Sequence, residues 1–182
     1  MVGSLKQFAA VAALSLTAAA CAGAPHGAFD GDYGDMAGDA RIERPAQPLQ
    51  CVPYARRVSG IPIYGDAWTW WDQAAGRYER GDAPQPGAVL VLDGYAGPRR
   101  AHLAVVRAVI SEREIRVDHA NWLDNGDIHL DDPVRDVSAD NDWSEVRVFN
   151  LRAGVWGARH YHVRGFIGPG DGDDTMRVAD TE

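Results

Sequence analysis

Residues 101–122 read AHLAVVRAVISEREIRVDHANW. Two apolar runs, 101–110 and 113–122, flank a polar turn at Ser111–Arg113, which is the pattern of two antiparallel strands. Side chains alternate faces along a strand. Ile115, Val117, His119 and Asn121 therefore share one face, and Arg116, Asp118 and Ala120 share the other. On the first run His102 lies on the face of Ala104, Val106 and Ala108. Each strand thus carries an apolar face that leads into polar groups. A buried polar group left unpaired costs ~1–3 kcal/mol, so these three polar residues are expected to pair with one another or with a substrate.

Working outward, QPLQCVPYARRVSG (47–60) predicts a short helix from Cys51 to Val58, stopped by Ser59-Gly60. Pro53 falls in its first turn, where a missing N–H costs nothing. DAWTWWDQAAG predicts a second helix, with Asp66 as N-cap and Gly76 just past its end. PQPGAVLVLDG reads as a turn and a short apolar strand. DNGD at 124–127 carries an Asn-Gly hairpin signal, and SEVRVFNL and YHVRGFIG read as the last strands. Helices followed by a run of antiparallel strands make the expected fold class α+β.

Cys51 heads the first helix, and the only other cysteine is Cys21. A free cysteine is often just a small buried hydrophobe. At a helix N-terminus, however, the positive end of the dipole favours thiolate, and a nearby imidazolium adds to it. Nucleophilic cysteine chemistry needs a thiol, a base and a group that orients the base. Cys51, His102 and the pair His119 and Asn121 supply those types in that order.

The 182-residue chain has net charge −8, and its Arg56-Arg57 and Arg99-Arg100 pairs are isolated, so a nucleic-acid partner is not expected. Residues 1–21 have the short charged start, apolar stretch and small residues of an export signal, too short to span a bilayer. TAAAC ending at Cys21 resembles the lipobox of bacterial lipoproteins, with Ala18 where Leu is usual. Lipidation of Cys21 is the expectation, and plain cleavage after Ala24 is the alternative. Residues 22–46, rich in Gly, Asp, Ala and Pro, read as a flexible tether. Residues 47–168 are the expected domain, and 169–182 an acidic, disordered tail.

LQCVPYAR, AWTWWDQA, PQPGAVLVL, AHLAVV, VDHANW and VRGFI, in this order, resemble the CHAP family of cysteine- and histidine-dependent amidohydrolases/peptidases that cut peptidoglycan. The resemblance implies a papain-like core, with the nucleophile helix packed on a small antiparallel sheet. It implies that Cys51 attacks a carbonyl, that His102 moves the proton, and that no metal or cofactor takes part. The family often has Glu two positions before the Asn, where this chain has His119. A neutral imidazole can orient His102 by a hydrogen bond but cannot balance imidazolium as a carboxylate does. A β-bulge turning Asp118 inward is the alternative. Asn121 lies ~7 Å further along the strand, which suggests a separate role. The Cys51 N–H, and more weakly Gln50, are the candidate oxyanion donors; Tyr54 and Trp122 are candidate cleft residues. The expected function is an exported envelope hydrolase acting on peptidoglycan, membrane-tethered if Cys21 is acylated and then outer-membrane by its Ala22. A non-catalytic peptidoglycan-binding module is the alternative.

The remaining notable residues read as structural. Trp68, Trp71 and Ala75 form an inward helical stripe. His160 and His162 read as a solvated pair on an edge strand, His129 and His26 as surface residues, and Asp140–Asp142 as a turn.

Overall fold

The computed structural model describes residues 39–123 and 125–169. The expected export signal, Cys21, His26, most of the expected tether and the expected acidic tail lie outside the described residues. Described elements run β1 (Arg41–Glu43), α1 (Cys51–Ser59), a 3-10 turn (Ala67–Thr69), α2 (Trp70–Ala74), β2 (Arg80–Gly81), β3 (Val89–Asp93), β4 (His102–Ser111) and β5 (Glu114–Ala120). They continue with β6 (Ile128–Asp136), β7 (Glu145–Asn150), β8 (Val155–Trp156) and β9 (Tyr161–Ile167).

The expected α+β, papain-like fold is not the one found. The domain is mostly β, and its helices are two short ones among the described residues. The antiparallel sheet runs β6-β5-β4-β3-β9-β7, and β7 pairs again with β6, so six strands close into a barrel. Closure depends on β7 using both edges. Val146–Val148 pair with Val134–Asp136 of β6, while Glu145 and Val146 pair with His162 and Tyr161 of β9. The strand that escaped the sequence reading is β6, IHLDDPVRD. Asp131, Asp132 and Pro133 in its middle hide any alternation, and without it the remaining strands cannot close. The second helix is also shorter than expected. Asp66 makes no cap to the backbone and instead accepts from Trp68 Nε1 at 3.3 Å.

The alternation read from the sequence sorts the core into two layers. Leu90, Leu92, Ala104, Val106, Ile115, Val117, Val134, Val148 and Phe166 fill the barrel. Val89, Val91, Leu103 and Val105 point the other way and pack with Ala55, Ile61, Ile63 and Trp70 from the helical segment. β3 is therefore buried on both faces, which is why it reads as the unbroken apolar run VLVL. Each large side chain removed from water stabilises the fold by ~1.5–3 kcal/mol. The outer layer presses α1 against β4 and β5, and this places Cys51 beside the start of β4.

Residues 41–43, assigned to the tether from composition, form β1 on the edge of β6, with Ile42 opposite His129. His160 and His162 are exposed, but β9 is an inner strand between β3 and β7 rather than an edge.

Candidate active site

A cleft of about 380 Å³ opens at one end of the barrel. Gln50, Cys51, Trp68, Tyr95, His102 and Asn121 are among its lining residues. A larger groove of about 720 Å³ lies between Arg44, Pro48, Leu123, Asp127 and Arg152, and carries none of the expected site residues.

Cys51 is part-buried at the start of α1. Burial pushes its thiol above the ordinary 9.0, while the backbone N–H groups of Leu103, Val52 and Cys51 and the charge of Arg100 pull it partly back. The helix start therefore softens the cost of the thiolate without overcoming desolvation. His102 opens β4 and faces the barrel interior. Its pKa lies well below 6.5, first through burial and then through the neighbouring imidazoles of His119 and His129. At neutral pH the resting pair is thus a thiol and a neutral imidazole.

His119, on β5, sits 3.0 Å from His102, between Nδ1 of His119 and Nε2 of His102. Its other nitrogen, Nε2, lies 3.0 Å from Oδ2 of Asp132 on β6. A carboxylate only accepts, so His119 Nε2 carries a proton and donates it. His119 Nδ1 is then the acceptor for His102 Nε2–H. That leaves His102 Nδ1 as the ring nitrogen with a lone pair for the thiol proton. One hydrogen bond at Asp132 thereby sets the tautomers of both imidazoles.

Asp132 and His129 were not legible as site residues. His129, expected at the surface, is 3% exposed and its Nδ1 lies 3.2 Å from the same Oδ2. His119, His129 and Asp132 bring two imidazole nitrogens and a carboxylate oxygen within 4.8 Å of one another. That donor set suits a divalent transition ion, though here both nitrogens are engaged by the carboxylate. Asp118 stays on the opposite face, where Oδ1 accepts from Asp131 N–H at 2.8 Å and Oδ2 lies 3.7 Å from Arg107. It does not reach His102.

The other expected residues divide. Asn121 leaves the strand with φ +60 and bridges loops: Nδ2 donates to Gln50 Oε1 at 2.8 Å, and Oδ1 accepts from Gly126 N–H at 2.9 Å. It lines the cleft with Gln50 but does not hold His102. Trp122 is buried inside the barrel. Its ring stacks on His119 at 5.3 Å and meets His102 edge-on at 4.8 Å, so it walls the imidazoles rather than the cleft. Tyr54 is buried against the sheet and does not line the cleft; burial raises its phenol well above 10.0. The expected inward stripe does not form: Ala75 is exposed and Trp71 half-buried, and Trp70 and Ala74 face the core instead. Trp68 is 39% exposed and lines the cleft, with Arg99 over its face at 5.9 Å. The turn at Asp140–Asp142 is closed by Asp142, which accepts from Ser144 N–H and Oγ–H.

Residues 43–121 match the family model of the CHAP domain. Over this segment the chain is similar to the CHAP domain. CHAP domains are hydrolases and amidases of the cysteine- and histidine-dependent type, and their substrate is peptidoglycan. The match takes in Cys51, His102, His119 and Asn121 and ends before β6, so Asp132 and His129 lie beyond it. No curated protein matches the chain.

Proposed function

We propose that this CHAP-like domain cleaves an amide or peptide bond of peptidoglycan, with Cys51 as nucleophile and His102 as base. The observation that carries the reading is the shared cleft: Cys51 and His102 line it together, and the nitrogen that the hydrogen bonds leave to His102 is a proton acceptor. In the first step the Cys51 Sγ–H proton passes to His102 Nδ1 as sulfur attacks the scissile carbonyl. The carbonyl oxygen becomes an oxyanion beside the Cys51 N–H at the unpaired start of α1. His102 then gives the proton to the leaving amine, and a thioester forms. Water, deprotonated by the same imidazole, hydrolyses the thioester and restores the thiol. His119 holds His102 in the tautomer this requires. The amide between muramic acid and L-Ala and the peptide bonds of the stem peptides are equally open to this chemistry.

The setting we propose is the cell envelope, reached by the export signal at 1–21 and held by acylation of Cys21. The mass of the mature N-terminus from membrane fractions tests that part, since an unmodified N-terminus at Pro25 rules out the anchor.

Digestion of purified peptidoglycan by the full chain, wild type against Cys51→Ala, with products read by mass spectrometry, tests the chemistry. New fragments from the wild type alone are expected, and their masses identify the bond. Binding without fragments from either protein would replace the hydrolase with a peptidoglycan-binding module.

A further inference from the structure

The site lacks the acid that the family often places two residues before the Asn, yet a carboxylate stands one residue further along the hydrogen-bond chain. We propose that Asp132 is the charge-balancing positioning residue of this site, acting on His102 through His119, and that Asp118 holds the β6 bulge that delivers it. The inference rests on the hydrolase reading for its consequence in turnover, but not for its effect on the thiol.

The delivery is visible in the register. Val117 pairs with Asp132 and His119 pairs with His129. One residue of β5, Asp118, therefore opposes two of β6, Leu130 and Asp131, which is a β-bulge. In a regular strand residues three apart face opposite sides. The extra residue brings His129 and Asp132 to the same inward face. Asp131 takes the strain, at φ +54, a conformation that Asp tolerates better than most residues. Its N–H is secured by Asp118 Oδ1 at 2.8 Å. Asp118 thus serves the imidazoles from the opposite face of the sheet.

The chemistry follows from an imbalance. Asp132 is 0% exposed, its Oδ2 accepts from two imidazole N–H groups, and its Oδ1 is without a hydrogen-bond partner among the described residues. A carboxylate this deep is costly unless a positive charge balances it. With neutral imidazoles, no positive charge accompanies the carboxylate among its described hydrogen-bond partners. The proton that leaves Cys51 for His102 Nδ1 supplies one. The new charge is shared along His102 Nε2–H to His119 and meets the carboxylate at His119 Nε2–H. No atom is gained or lost: the S–H bond breaks, the Nδ1–H bond forms, and Asp132 keeps its charge. The charged and titratable groups around His102 are Cys51 from α1, Asp66, Tyr95, Arg99 and Arg100 from the loops lining the cleft, His119 from β5 and His129 from β6, with Asp132 one hydrogen bond beyond His119. Of the two carboxylates, Asp66 is exposed at the cleft and accepts from Trp68, while Asp132 is the buried one, joined to His102 through His119.

Asp132→Asn keeps the shape and an acceptor for His119 while removing the charge. Alkylation of Cys51 by iodoacetamide, followed by peptide mapping from pH 5 to 10 on the full chain, needs no substrate. Without Asp132 the thiolate–imidazolium pair should be disfavoured, and alkylation below the thiol's own titration should fall ~10-fold, the equivalent of about one pKa unit. Circular dichroism should be unchanged. Superposable wild-type and Asp132→Asn profiles would overturn the proposal whether or not the chain digests peptidoglycan. A second arm uses sign. His119→Glu alone places two buried carboxylates side by side and should be inactive, whereas His119→Glu with Asp132→Asn should regain turnover on peptidoglycan. An inactive, folded double variant in a chain whose wild type is active would also count against the relay.

Discussion

At the scale of single residues, the chemistry of this site is governed by desolvation. Cys51 and His102 are each pushed toward their neutral forms, the thiol upward from 9.0 and the imidazole downward from 6.5. The base is then unprotonated well into mild acid, and the thiol is intact into mild alkali. The pH profile of kcat/KM is therefore expected to stay flat from about 6.5 to 9. An acid limb at or above pH 6.5 would show that His102 is not the buried base described. Stability carries the same sign. Folded His102 stays neutral while the unfolded chain binds a proton near 6.5, so the unfolded state holds more protons in acid. Stability present above 6.5 is lost as pH falls through that value toward the folded pKa. Thermal unfolding of wild type and His102→Asn between pH 5 and 8 checks this: the wild-type Tm should fall more steeply on the acid side. Equal slopes would contradict the assignment.

At the scale of elements, two close approaches separate stability from function. Gly165 of β9 has φ +143, and a Cβ there would stand 2.4 Å from the Trp71 ring. Gly126 has φ +88, and its Cβ would stand 2.6 Å from Leu49 N and 2.7 Å from Pro48. Both substitutions to Ala overpack a tight contact, at a cost of ~1–3 kcal/mol each. Gly165→Ala strains the wall beneath α2, away from the cleft. It should lower the urea midpoint and leave the turnover of the folded fraction unchanged. Gly126→Ala pushes on the segment leading into α1, where Leu49 N–H donates to Gly126 O at 3.1 Å and Asn121 ties Gly126 to Gln50. It should displace Cys51 from His102 and reduce kcat/KM ~10-fold or more, since small misplacements at a reacting group are costly. If the two variants lose activity and stability in the same proportion, the loop does not position the nucleophile.

At the scale of the whole molecule, β6 has a divided edge. Val134–Asp136 pair with β7 to close the barrel, while Ile128–Leu130 pair with β1 instead. Removal of residues 1–43 would uncover the edge beside His129 and Asp132, while removal of residues 1–38 would leave it paired. The backbone hydrogen bonds at stake are each worth ~0.5–1.5 kcal/mol. The chain starting at Arg44 should unfold at lower urea than the chain starting at Asp39 and show slower Cys51 alkylation. Equal midpoints would make β1 dispensable.

The residues show which properties were local and which were not. Alternation in 101–122 was enough to bring His102 and His119 to inward positions, because strand pleat is a property of the chain itself. Cys51 at a helix start was equally legible, since Pro53 and Ser59-Gly60 punctuate α1 at short range. The family resemblance rested on those same local segments. Barrel closure was not legible, because it depends on β6 finding β7 across the fold. The carboxylate behind His119 was hidden for the same reason. Asp132 lies three residues from His129 and reaches the same face only through a bulge secured by Asp118 from the neighbouring strand. The sequence by itself determined the nucleophile helix, the two histidine strands and the chemistry they suggest, all of which follow from neighbours along the chain. Tertiary structure alone decided the barrel, the inward turn of Asp132 and the neutral resting state of Cys51 and His102, because pairing register and desolvation are set by residues far apart in sequence.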